Sequence, residues 1–169
     1  MENYYYAGGR KIALDADPDH VAIDHAAAEA AGLGSGVPSG YPPDLRSGIV
    51  LSDRSSLGEK ALADLRDAGA LRPVFRRDQA TLVALPEVRV EFDNPAQCSA
   101  VKDMVAGLNA KGRHDVAIDD ETDDHLTLKL ASGNALDALN LANTIYEHAH
   151  PAASSVRFVQ FVPKPGVKR

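Results

Sequence analysis

From Glu87 to Asp93 the chain alternates strictly, Glu-Val-Arg-Val-Glu-Phe-Asp, the period-2 signature of a strand with one buried face. Asn94-Pro95 follows, an N-cap residue and then a proline at the first helical position. Cys98, Val101, Val105 and Leu108 recur at helical spacing until Gly112 ends the run. Two more strands are expected at His114–Ile118 and Asp124–Ala131, on either side of the acidic turn Asp119-Asp-Glu-Thr-Asp-Asp124. Gly133-Asn134 opens a second helix, with Leu136, Leu139, Ala142, Asn143, Tyr146 and Ala149 on or near its inner side. Val156-Arg-Phe-Val-Gln-Phe-Val162 closes as a fourth strand. Strand, helix, strand, strand, helix, strand is the order of the split βαβ, or ferredoxin-like, unit.

The first half carries a fainter version of that pattern. Lys11–Leu14 and His20–Asp24 read as short strands, and alanine-rich His25–Leu33 as a short helix. Gly34–Pro43 is dense in glycine and proline and reads as a loop. Leu45–Leu51 is strand-like. Ser56-x-x-Glu59 has the form of a capping box opening a helix with Ala61, Leu62, Leu65 and Ala68 on one side, stopped by Gly69. Leu71–Phe75 is a strand that Pro73 restricts to an edge or a bulge, and Thr81–Leu85 returns as its hairpin partner over Arg76–Gln79. The pattern therefore predicts an α+β protein of two tandem ferredoxin-like (βαββαβ) units. Residues 1–80 are the degenerate unit and 81–169 the fuller one, related by duplication.

A chain of 169 residues suffices for one ordinary domain or two small ones. With no tryptophan and only 5% aromatic residues, the core must rest on Val, Leu, Ile and Ala. A formal net charge of −6 speaks against a nucleic-acid partner, which calls for a basic footprint. The expected central strands, Val88–Phe92 and His125–Leu130, also carry one aromatic residue where an RNA-reading sheet presents several. No run of about 18 apolar residues predicts a membrane span. The opening Met-Glu-Asn-Tyr-Tyr-Tyr has neither the basic nor the apolar region of a signal peptide, so a cytoplasmic location is the default expectation. Cys98, the single cysteine, falls on the apolar side of its helix and reads as a small buried hydrophobe.

Little in the chain carries reaction chemistry. Six histidines (His20, His25, His114, His125, His148 and His150) are scattered, and no G-x-S-x-G elbow is present. His148-Ala-His150 pairs two imidazoles, but a zinc site needs further ligands. The acidic turn lacks the glycine of a calcium loop. Gly32-Leu-Gly-Ser-Gly36 does not join a strand to a helix as a dinucleotide loop does. No catalytic residue, metal or cofactor is therefore expected. What remains is a binding surface: an open sheet with both helices on one face leaves its other face uncovered. The closing strand is also apolar on both sides, Val156, Phe158 and Val162 against Val159 and Phe161.

Several segments carry a family resemblance. The opening Tyr4-Tyr-Tyr-Ala-Gly-Gly-Arg-Lys-Ile-Ala-Leu14, followed by Asp17-Pro-Asp-His-Val-Ala-Ile23, resembles the N-terminal region of bacterial subtilisin-like serine proteases. Arg72-Pro-Val-Phe-Arg-Arg77 and Leu82-Val-Ala-Leu-Pro-Glu-Val-Arg-Val-Glu-Phe92 resemble the same region, and Val156–Val162 is similar to the strand that ends such propeptides. The resemblance implies a non-catalytic propeptide-like module that binds a subtilisin-like serine protease, in cis or in trans, as inhibitor or folding chaperone. The open sheet would pack on surface helices of the protease, and the segment from Phe161 onward would lie in its cleft as an added strand. Partner contact would then fall to Val159, Phe161, Val162, Pro163 and Lys164, although prolines at 163 and 165 hinder regular backbone pairing. The Asp, His and Ser motifs of the catalytic domain are absent from the sequence. The alternative from another class is a ferredoxin-like regulatory module that binds a small molecule, or another protein, between its two halves. A third is an enzyme using His148, His150 and the acidic turn.

Overall fold

In a computed structural model, residues 3–33, 48–112 and 115–161 are described. The chain is α+β, with mostly antiparallel sheets and, among the described residues, four α-helices. Two compact units form: residues 1–14 with 84–158, and residues 15–83 with 159–169.

The first unit begins with the hairpin β1 (Asn3–Ala7) and β2 (Arg10–Ala16), in register from Asn3↔Leu14 to Ala7↔Arg10. Gly8 and Gly9 turn it with φ of +58° and +77°, a two-residue turn that side chains with a Cβ rarely permit. The hairpin is followed in this unit by the second part of β7 (Ala80–Glu91), then α3 (Pro95–Ala110), β8 (Val116–Glu121), β9 (His125–Leu130), α4 (Ala135–Ala149) and β10 (Ala153–Phe161). The strands lie in the order β10-β7-β9-β8. The registers Val88↔Leu128 and Val90↔Leu126 place four fully buried side chains on one face of the central strands. Val101 and Val105 of α3 and Ala138, Leu139, Ala142 and Ile145 of α4 are buried with them. Each such aliphatic side chain contributes about 1.5–3 kcal/mol by leaving water, so this alternation, more than local propensity, sets the register.

Helix starts follow from local chemistry. Asn94 Oδ1 accepts the Gln97 N–H at 3.0 Å with Pro95 in the first turn, and Asn134 Oδ1 accepts from Leu136 and Asp137. Leu136, placed inward by its spacing, is 41% exposed, whereas Leu141 and Ile145 fill the buried face of α4. β8 runs farther than the pattern indicates: Asp119–Glu121 belong to the strand, and a bulge between Ile118 and Asp120 takes up the extra residue.

The second unit contains β3 (His20–Asp24), α1 (His25–Ala30), β4 (Ile49–Asp53), a 3-10 turn at Arg54–Ser56, α2 (Glu59–Asp67), β5 (Leu71–Arg72) and β6 (Val74–Arg77) with the start of β7. β3 lies between β4 and β5. Val21, Ile23, Ala28, Val50, Leu65 and Ala70 form its core, with Leu57, Leu62 and Leu71 packed around them. Asp24 caps α1 through Ala27 N–H and also pairs with Arg72 Nη2 at 2.9 Å. Ser56 is not the cap of α2. That position is Gly58, which has no side chain to offer, and Ser56 lies in the 3-10 turn. Pro73 separates β5 from β6, and the hairpin from β6 to β7 turns at Asp78, whose φ of +53° an aspartate tolerates.

Candidate interaction surface

Pleating turns alternate residues of the first unit's sheet away from the helices. On β7 these are Glu87, Arg89 and Glu91, and their register partners on β9 are Lys129, Thr127 and His125. Ala117 and Asp120 extend the row onto β8, and Arg157 stands on β10. Arg89, Lys129 and Arg157 keep side-chain exposures of 55, 53 and 57%, so the face reaches solvent. It is laced with ion pairs: Arg157–Glu87 at 3.4 Å, Arg89–Glu91 at 3.3 Å and Lys129–Asp119 at 3.4 Å. Exposed pairs of this kind contribute at most about 1 kcal/mol each to stability. Their charges are thus available for a partner.

At one margin of this face His125 is held between carboxylates. Its Nε2 lies 2.9 Å from Asp120 Oδ2, and its Nδ1 lies 3.2 Å from Asp124 Oδ1 and 2.7 Å from Thr122 Oγ1. Hydrogen bonds to Asp120 and Asp124 raise the imidazole above its ordinary pKa. Thr122 and His125 in turn hold Asp124 below the usual carboxylate value. Lys102 of α3 pairs with Glu121, and that hydrogen bond raises the ammonium.

The residues expected to meet a partner divide in two. Val159 and Phe161 stand half-buried at the end of β10, within the residues assigned to the second unit. Val162, Pro163 and Lys164 lie outside the described residues. Comparison with known protein-family models, curated proteins and solved structures returned no match. The reading of the surface therefore rests on its own geometry.

Two further polar clusters were invisible in the spacing. In the first unit, Tyr4 and Tyr6 both donate to Glu147 Oε2 of α4, at 3.1 and 2.6 Å, and Tyr6 stacks on Tyr146 with centroids 4.3 Å apart. The bond to Glu147 pushes the Tyr6 phenol up to about 12. Buried Asn143 donates to the Tyr4 carbonyl at 2.8 Å, and the Tyr5 ring meets Phe158 edge-on at 5.1 Å. In the second unit, the side chain of Asp17 is fully buried. It accepts from the Asp19 N–H at 2.8 Å and from Arg76 Nη2 at 3.1 Å, and lies 2.9 Å from His20 Nδ1. Burial opposes its ionisation, but these hydrogen bonds and the charges of His20 and Arg76 outweigh it and hold Asp17 below the usual carboxylate value. His20 Nε2 faces Asp53 at 3.5 Å. Both clusters join elements distant in sequence, which is a structural role.

Among the described residues the remaining histidines do not converge, and His114 lies outside those residues. His148 is exposed on the last turn of α4, and His150 is its left-handed cap, whose carbonyl accepts from Gln97. Among the described residues no group of three or more His, Cys, Asp and Glu side chains could hold a metal ion. No helix there is long and apolar enough to cross a membrane.

Proposed function

We propose that the chain is a non-catalytic, propeptide-like binding module whose open sheet face docks on a subtilisin-like serine protease, inhibiting it or assisting its folding. The observation that carries this reading is the solvent-facing row Glu87, Arg89, Glu91, Lys129, Thr127 and Arg157 on the strand face opposite α3 and α4. In this reading residues 84–158 are a ferredoxin-like βαββαβ unit, for which the strand order β10-β7-β9-β8 speaks. The second unit is its reduced copy: β3-α1-β4-α2-β5, ordered β5-β3-β4, repeats the arrangement of β10-β7-β9 with α3 and α4.

Charge pairing on the face gives orientation and association rate in this reading. In this reading an added strand in the cleft would come from the residues after Phe161, which lie outside the described residues. Hydrolysis of a peptide substrate by the subtilisin-like proteases of the same genome, titrated with the full chain, tests it. Stoichiometric inhibition or an isolable complex is expected; neither appearing with any of them overturns the reading.

A further inference from the structure

Residues 119–124 hold five carboxylates in six positions: Asp119, Asp120, Glu121, Asp123 and Asp124. Three cations face them. Lys129 of β9 pairs with Asp119, Lys102 of α3 with Glu121, and His125 spans Asp120 and Asp124. Of the three, only the imidazole loses its charge near neutral pH. Its geometry favours that charge, because both ring nitrogens lie within hydrogen-bond distance of carboxylate oxygens and a neutral ring offers one N–H. The Thr122 hydroxyl, 2.6 Å from Asp124 Oδ1 and 2.7 Å from Nδ1, completes the cluster: beside the imidazolium it donates to Asp124, and beside a neutral ring it can turn to Nδ1 and leave Asp124. The ring is 16% exposed, while Asp120 and Asp124 reach solvent at 59 and 83%.

We propose that His125 is a proton-operated clasp: as the imidazolium it ties β8 to the β8–β9 turn, and on deprotonation it lets that turn and the adjoining margin of the sheet face loosen. The charged groups around it are Asp120 of β8, Asp124 in the turn, and Glu91 and Arg89 of β7. The carboxylates favour the cation and Arg89 opposes it; the balance lies with the carboxylates. A raised folded-state value makes the contribution complete below the ordinary histidine value, roughly 6.5, and lost as pH rises through the folded one. The clasp stands on the local geometry alone and does not depend on what the face binds.

Amide hydrogen exchange of the full chain across pH 5.5–9, corrected for intrinsic rates, tests it at the Thr122 and His125 N–H groups, which bond to His125 O and Thr122 Oγ1. Both should open about tenfold more often above the histidine titration, while the Val88 and Val90 amides stay unchanged. His125→Gln should remove the pH step and leave the turn open throughout. His125→Arg, a permanent cation, should keep it closed throughout. A wild-type turn with no pH step, or a step that survives in either variant, overturns the clasp. Circular dichroism establishes that each variant is folded before it is scored.

Discussion

The Tyr6 phenol donates a 2.6 Å hydrogen bond to Glu147 Oε2, from the first strand to the last turns of the last helix, 141 residues along the chain. Tyr4 shares the same oxygen, and Lys11 stands 4.0 Å over the Tyr4 ring. This carboxylate fastens the N-terminal hairpin to α4.

Glu147→Gln keeps the shape of the acceptor and removes its charge. The Tyr6 phenol should then titrate down from about 12 toward the ordinary tyrosine value, roughly 10. Ultraviolet absorbance of tyrosinate against pH reads this directly. Exchange of the β1–β2 amides should quicken, while that of β9 stays as it was.

Leu128 and Ile23 are fully buried in different units. Leu128→Ala and Ile23→Ala should each cost about 2–5 kcal/mol, through lost transfer energy and an unfilled cavity. Urea denaturation gives the size. Exchange maps should place the damage on β7–β9 for the first change and on β3–β5 for the second.

Asp17 governs the acid side of the second unit. Its depressed folded-state value means that its contribution is present above the ordinary carboxylate value, near 3.9, and is lost as pH falls through the folded one. Asp17→Asn should destabilise by about 1–3 kcal/mol at pH 7, because Arg76 and His20 lose a charged acceptor. The gap between the variant and the wild type should narrow as pH falls through the folded-state value of Asp17. Thermal melts at pH 7, 5 and 3 check the sign.

Where the chain alternates cleanly, its structure is legible from sequence. The alternating residues Glu87–Glu91 and the capped starts at Asn94 and Asn134 form as their patterns indicate, because local chemistry and burial point the same way. The two strands expected at Thr81–Leu85 and Glu87–Asp93 are one, β7, which ends at Glu91, and the hairpin before it turns at Asp78–Gln79. Legibility fails where tertiary context decides. Ser56 has the spacing of a cap, yet the chain enters a 3-10 turn and Gly58 takes the position. The acidic run reads as a turn from its composition, yet a bulge and cations on neighbouring elements keep Asp119–Glu121 extended. The opening Tyr-Tyr-Tyr segment reads as part of the first half. Its rings pack on α4 and β10, so it groups with residues 84–158. The solvent-facing row was implicit in the alternation of β7 and β9, whose charged and polar residues occupy every second position. Val159 and Phe161 of the closing strand are half-buried.

The docking of this face is tested most directly by charge reversal in a binding measurement. The full chain, and its Arg89→Glu/Lys129→Glu variant, are titrated into a subtilisin-like protease of the same genome whose nucleophilic serine has been replaced by alanine. Both changes lie on exposed side chains, so the fold should be retained. Binding by the wild-type chain, weakened about tenfold or more by the double change, is the expected result. No binding by the wild-type chain, or equal binding by both proteins, would contradict it.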